Sequence, residues 1–401
     1  MKKRKIIPKN PAGSYHNGKT IYEGGKSFFV FASNTDKCFG CAYCVLSGVD
    51  YLQEKGASSL TFSKLEIGAV PADIDPGLRE IPVSVNNAYG DPGIQWQDTL
   101  SRLEKLAISQ HKGPVAVITK SRLSQEKAGQ LASFGLGLVV LQSVSNLPVL
   151  IEPVSYEKRI ESLANVIGSG IPALPYFRPI IPGFNDTEEV VSRTLDDVKS
   201  AGANALAYAG LMGTPEVLSN LKRRIGTEIG PPEGFKQWIP GHKIVSSSLA
   251  DYIEASARQR GIQPFRKTSC GVSYALGLPA DYNVHYARPD KYGCSSCVMG
   301  EKCSDAAASQ NTKNVNKALE IIGATGTVIT DSKYSSSCTL ENVCRNSCAS
   351  CSTSKGTRLH LDGTYTLGEV GIARWLTGLT VDADKIIGTN RVSFIENEKG
   401  A

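Results

Sequence analysis

The feature that most limits what this chain can fold into is an alternation of β-rich and helix-patterned segments from residue 27 to residue 265. Strand-like runs are predicted at 27–32, 81–86, 114–119, 138–143, 173–178 and 203–209, and helical spacing of apolar residues at 96–110, 157–169 and 188–201. Successive βα units of roughly 30 residues imply parallel strands joined by right-handed crossovers. Six units suit an open, partial barrel better than a closed eight-fold one. In either case chemistry belongs at the C-terminal ends of the strands, where the loops converge.

The alternation fades after Phe265, which divides the chain into four parts. Residues 1–26 form an N-terminal arm, 27–265 the partial (β/α)6 barrel, 266–303 a cysteine-bearing loop, and 304–401 a small α+β domain with helices expected at 314–322 and 367–376. The 401 residues are 41% hydrophobic and 20% charged, ordinary for a globular protein. No apolar run approaches the roughly 18–20 residues of a membrane span. The basic start, Met1 to Lys5, leads into no apolar signal core, so the expected location is cytoplasmic. A net charge of +6 over this length argues only weakly for a nucleic-acid partner.

The 11 cysteines are clustered rather than spread for disulfides, which in a cytoplasmic chain favours metal. The first group is Cys38-Phe39-Gly40-Cys41-Ala42-Tyr43-Cys44, directly after the first predicted strand. Three thiolates on one loop can hold three irons of a 4Fe–4S cluster and leave the fourth open. A structural zinc would want a fourth ligand, for which only His16 precedes the loop. The second strand ends in Asn86-Asn87-Ala88-Tyr89-Gly90-Asp91-Pro92. Gly90 permits close backbone approach and Asp91 could accept from an ammonium, although a plain β-to-α turn uses the same chemistry. Ser143 and Ser145, followed by Glu152, close the fourth strand. Arg178 closes the fifth and suits either a ligand carboxylate or a structural ion pair.

This ordered set, over about residues 27–265, resembles the radical S-adenosylmethionine (SAM) superfamily. There the open iron chelates SAM, whose reductive cleavage yields a radical that abstracts hydrogen from substrate. The resemblance implies that Gly90, Asp91, Ser143, Ser145 and Arg178 bind SAM. The usual spacing is Cys-x-x-x-Cys-x-x-Cys, and this chain is one residue shorter in the first gap. That contraction resembles the methanogenesis marker protein ten family, cobalamin-dependent enzymes that methylate the δ-carbon of an arginine in methyl-coenzyme M reductase. The likeness would cover essentially the whole chain. It implies a peptide of the reductase alpha subunit as partner and an unidentified electron donor. It also implies a tyrosine that occupies the open iron before SAM; Tyr89 is the positional match and Tyr43 the competitor. Only 37 residues precede Cys38, too few for the usual cobalamin domain, and the Asp-x-His-x-x-Gly motif is absent. Residues 304–401 are then the candidate cobalamin domain, with His360 as a conceivable lower ligand or an ordinary surface histidine.

Cys270, Cys294, Cys297 and Cys303 supply four thiolates, enough for a mononuclear iron, a zinc or an auxiliary cluster. The resemblance favours one structural iron. Cys338, Cys344, Cys348 and Cys351 suit a further metal or free thiols equally. The leading function is a radical SAM protein-arginine C-methyltransferase. A radical SAM DNA-lesion repair enzyme of spore photoproduct lyase type and a non-enzymatic metal-binding scaffold are the alternatives.

Overall fold

The computed structural model describes residues 9–10, 13–16, 19–21, 29–31, 39–44, 82–86, 90–108, 110–239, 243–282, 297–308, 315–330, 357–366, 369–370, 373, 377 and 380–387. An antiparallel meander of β1 (Lys9–Asn10), β2 (Gly13–His16) and β3 (Lys19–Ile21) occupies the expected arm. The barrel elements follow: β4 (Phe29–Phe31), β5 (Val83–Val85), α1 (Trp96–Ile108), β6 (Val115–Thr119), α2 (Gln125–Ala132), β7 (Leu138–Ser143), α3 (Tyr156–Gly168), β8 (Ala173–Ile180), α4 (Glu188–Ser200), β9 (Ala205–Gly210), α5 (Pro215–Ile225), α6 (Ser247–Gln259) and β10 (Gln263–Phe265). Beyond them come α7 (Thr268–Ala275), α8 (Gly300–Ala308), α9 (Val315–Ile322), β11 (Gly326–Thr330), β12 (Thr357–Thr366) and β13 (Thr380–Ile387).

Strands β4 to β10 form one seven-stranded sheet, all pairs parallel, with spatial order equal to chain order. Right-handed crossovers between sequential neighbours put the connecting helices on one face, so the sheet curls into the partial barrel that the alternation predicts. Strand β10 is a seventh member beyond the six predicted. At three residues it is too short to show alternation, and its first residue is Gln263.

The period-2 pattern sorts the core. Val83, Val85, Val115, Val117, Leu138 and Val140 face outward against α1 and α2, while Phe177, Leu206 and Tyr208 pack under α4 and α6. The alternate positions, Ala116, Val139, Leu141, Leu174, Tyr176, Ala205, Ala207 and Phe265, line the inner face. The segment expected to be a cysteine loop covers that face. Helix α7 lays Val272 on it, and Met299 and Cys303 join the same cluster. Within the described residues 266–282 and 297–303 this segment holds α7 and the start of α8 and packs on the inner face, where a loop was expected; residues 283–296 lie outside the described residues. Burying an apolar side chain is worth about 1.5–3 kcal/mol, enough to draw this segment in.

Helix ends follow local chemistry. Thr214 caps α5 by accepting from Val217 N–H, Pro215 occupies the first turn, and Gly226 ends the helix at φ 76° with its N–H on Lys222 O at 2.8 Å. Among the described residues no helix is long and apolar enough to cross a membrane.

The C-terminal sheet pairs β11 with β12 antiparallel and β12 with β13 parallel, over a small core of Val315, Leu359, Leu361, Val370, Ala373 and Val381. His360 on β12 holds Asp382 through Nδ1 at 2.7 Å and Asp384 through Nε2 at 3.0 Å. Hydrogen bonds to Asp382 and then Asp384 raise its pKa above the ordinary 6.5. The bridge therefore contributes fully below that value and is lost as pH rises through the raised one. Amide exchange along β12 should accelerate between pH 6 and pH 8.5 beyond the intrinsic rate change. His360→Gln should remove that excess; the same excess in the variant would refute the bridge.

Candidate active site

Of the predicted site residues, Cys41, Cys44, Gly90, Asp91, Ser143, Ser145 and Arg178 lie at or just beyond the C-terminal ends of the strands. The turn after β4 is pinned on several sides. Gly40 adopts φ 67°, and its carbonyl accepts from Arg224 Nη2 at 2.9 Å. Cys44 N–H donates to Cys41 O at 3.1 Å and Ala42 N–H to Ile151 O at 2.9 Å. Cys41 is 5% exposed and Cys44 half-buried; neither forms a disulfide. The predicted third thiol, Cys38, lies outside the described residues, as does Tyr89.

Beside this turn stands Lys120, on the residue after β6. Its ammonium lies 5.7 Å from the centroid of the Tyr43 ring. Burial acts to lower its pKa, but the charges of Cys41, Glu152, Asp91 and Cys44 outweigh burial and raise it. The hydroxyl of Tyr43 donates to Glu152. Burial first, then Glu152 and Cys41, lift this phenol well above its ordinary 10.0, so it stays protonated. Service as an iron-bound phenolate would require Tyr43 to give up that bond.

Asp91 is 5% exposed, and its carboxylate ties two strand ends together. Oδ1 accepts from Gly93 N–H at 2.8 Å, Thr119 Oγ1 at 2.6 Å and Ser121 Oγ at 2.8 Å, and Oδ2 from Lys120 N–H at 2.7 Å. A Cβ on Gly93 would fall 2.2 Å from that of Ser121, so the clamp closes only around glycine. Gly90 sits half-buried at the same loop.

Ser143 and Ser145 both donate to Glu152, with Ser143 Oγ at 3.2 Å. Glu152 forms an ion pair with Arg159, and both side chains are 0% exposed. Arg159 Nη1 also reaches Ser145 Oγ at 3.0 Å and Ser143 Oγ at 3.2 Å. The sequence reading missed Arg159, Lys120, Thr119 and Ser121. A signal existed for two of them. Arg159 occupies the apolar face of α3 with Ser162, Leu163 and Val166, at i, i+3, i+4 and i+7. Lys120 directly follows a barrel strand, where function is expected.

Arg178 shares the inner face with Tyr176, two residues away on β8. Its guanidinium donates to the Tyr176 hydroxyl and lies 5.1 Å from that ring centroid, and the hydroxyl is also bonded to Thr268 Oγ1 at 2.6 Å. Among the described residues these contacts bring Arg178 a phenol and no carboxylate.

Three of the four later thiols, Cys270, Cys297 and Cys303, pack on one inner-face cluster. Asp281 N–H donates to Cys303 Sγ at 3.3 Å, Cys270 Sγ lies 3.5 Å from Asp281 Oδ2, and Lys267 pairs with the same carboxylate. Burial first, then Asp281, pushes the Cys270 thiol up; burial also raises Cys303. Among the described residues no three His, Cys, Asp or Glu side chains converge as metal donors do. Cys294 lies outside the described residues, as do Cys338, Cys344, Cys348 and Cys351.

No family model matches the chain, and no curated protein matches it in sequence. Solved structures do align with it. A variant of spore photoproduct lyase with bound AdoMet and dinucleoside spore photoproduct is 11% identical, covering 59% of this chain and 75% of its own, with TM-score 0.41. Streptococcus suis SuiB bound to S-adenosylmethionine is 13% identical over 62% of this chain and 52% of its own, with TM-score 0.39. The radical S-adenosylmethionine methyltransferase TsrM from Kitasatospora setae, with tryptophan and a SAM analog bound, is 15% identical over 57% and 45%, with TM-score 0.33.

Proposed function

We propose that this chain is a radical SAM enzyme that methylates the δ-carbon of an arginine in the alpha subunit of methyl-coenzyme M reductase, with cobalamin as methyl carrier. One observation carries the radical SAM reading. Cys41 and Cys44 share a clamped turn at the C-terminal mouth of a singly wound parallel barrel, beside the half-buried Lys120. Thiols are the donors an iron–sulfur cluster takes, and Cys38 would be the third. When bound, the cluster and SAM supply the electron and the carbon radical that remove hydrogen from a C–H bond with no acidic proton.

The chain's own residues do the rest. Lys120 stays charged and offsets the negative charge of neighbouring thiolates. Gly90 lets the backbone approach a ligand closely. Arg178 presents a cation on the inner face, and Tyr176 fixes its direction, which suits a ligand carboxylate. Asp91, Ser143 and Ser145 act through the clamps that hold the strand ends, a shift from the direct contacts that the family resemblance implies. The apolar inner face keeps water from a reactive centre. His360 does not fit a cobalt ligand, since both ring nitrogens are held by carboxylates, so a corrinoid in the C-terminal region would rest on other contacts. A structural iron at Cys270, Cys297 and Cys303 would need Cys294 and a closer approach of the three thiols.

The test is anaerobic incubation of reconstituted protein with SAM, methylcobalamin, a low-potential reductant and a peptide from the reductase active site. The expected product carries one added methyl group on an arginine carbon, located by tandem mass spectrometry. Methylation on arginine nitrogen, or no SAM cleavage by the reconstituted protein, overturns the reading.

A further inference from the structure

Tyr43 lies inside the cysteine turn, yet its hydroxyl leaves the turn to reach Glu152. That carboxylate is fully subscribed. Oε1 accepts from Tyr43 and from Ser143 Oγ at 3.2 Å, and Oε2 from Ser145 and Arg159. An ionised carboxylate offers about four acceptor positions, and four donors fill them. Arg159 reaches in from the first turn of α3 and keeps Nη2 buried without a hydrogen-bond partner among the described residues. Glu152 therefore cannot swing to another partner without stranding a buried guanidinium. It is a fixed post.

The backbone repeats the grip. Ile151 O, next to Glu152, accepts from Ala42 N–H, next to Tyr43, at 2.9 Å. Two adjacent residues of the loop between β7 and α3 thus hold two adjacent residues between Cys41 and Cys44, one through the main chain and one through a side chain.

We propose that Tyr43 and Glu152 are positioning residues: the Arg159–Glu152 pair anchors Tyr43, and Tyr43 tethers the turn in the conformation that presents Cys41 and Cys44 to a metal. Only the metal-loading consequence rests on the function proposed above; the tether acts in the metal-free protein.

The test therefore begins without metal. Metal-free protein is treated with iodoacetamide, and labelling of Cys41 and Cys44 is followed by peptide mass spectrometry. A hydrogen bond to an ion closes the turn strongly enough that Tyr43→Phe should speed this labelling by about ten- to a hundredfold. Its melting temperature should fall by no more than about 10 °C, so the protein stays folded at the labelling temperature. Tyr156→Phe is the control, because Tyr156 also donates to a carboxylate, Asp197 at 2.9 Å, but away from the turn. Unchanged labelling in Tyr43→Phe, or equal acceleration in Tyr156→Phe, overturns the tether. Anaerobic reconstitution with iron and sulfide then gives a second readout, with iron per chain expected to fall severalfold in Tyr43→Phe. If wild type takes up no iron while labelling still responds, the tether stands and the radical SAM reading fails.

Discussion

Replacing Glu152 with leucine should cost about 3–5 kcal/mol, the usual penalty for stranding one partner of a buried ion pair. At roughly 2–4 °C per kcal/mol for a domain of 150–250 residues, the melting temperature should fall by about 6–20 °C. The size follows from geometry, since Glu152 and Arg159 are both fully buried and, among the described residues, one Arg159 nitrogen already has no hydrogen-bond partner. The double variant Glu152→Leu/Arg159→Met removes both charges and should recover part of the loss. Full recovery is not expected, because Tyr43 loses its acceptor, and an unpaired buried hydroxyl costs about 1–3 kcal/mol. Ser143 and Ser145 lose less, as their hydroxyls lie 3.3 Å apart and can pair with each other. Thermal and denaturant unfolding of wild type, both single variants and the double variant give the coupling energy directly. A single variant within 1 kcal/mol of wild type would mean that the pair is not buried as described.

The same pair shows where sequence reading stops. A periodicity of two or of 3.6 marks which face of an element is buried, and six of the barrel's strands with three of its helices were legible that way. Strand β10 and helix α7 were not. The first is three residues long, and the second, Thr268–Ala275, mixes polar and small residues with no clear stripe. What buries α7 is tertiary: a Cβ on Gly271 would meet the Leu174 side chain at 2.8 Å, so helix and inner face sit in close contact. The cysteine turn was legible because its residue types and spacing are unusual. The role of Asp91 was not, because one Gly-Asp-Pro string serves a ligand or a clamp equally well. Its four donors come from its own loop and from the last residue of β6 with the two that follow it, roughly 30 residues later, which only the parallel pairing of β5 with β6 brings alongside. Arg159 was legible in principle, as a cation on an apolar helix face implies a buried anion, but the string alone does not say which one.

Gly210→Ala should be the other large loss, at about 3 kcal/mol or more. Gly210 ends β9, and a Cβ there would fall 1.7 Å from Ile244 O and 2.5 Å from its carbonyl carbon. Overpacking usually costs about 1–3 kcal/mol because a side chain can turn aside, and here the obstacle is backbone. Two retreats exist, and each breaks something. Moving the end of β9 breaks the bond from Leu211 N–H to Ile180 O at 2.9 Å. Pushing residue 244 outward breaks the bridge between Met212 and Lys243 and drags at Ser246, which caps α6 by accepting from Leu249 N–H. Gly213→Ala meets the Trp238 ring at 2.2 Å, a side chain able to shift, so a smaller loss is expected there. Gly129→Ala calibrates the series. It lies in α2 with nothing within 4 Å of its Cβ, and should stabilise by about 0.5–1 kcal/mol through helix propensity alone. Unfolding midpoints should therefore rank Gly129→Ala above wild type, then Gly213→Ala, then Gly210→Ala. A Gly210→Ala protein as stable as wild type would place the segment at residue 244 away from the end of β9.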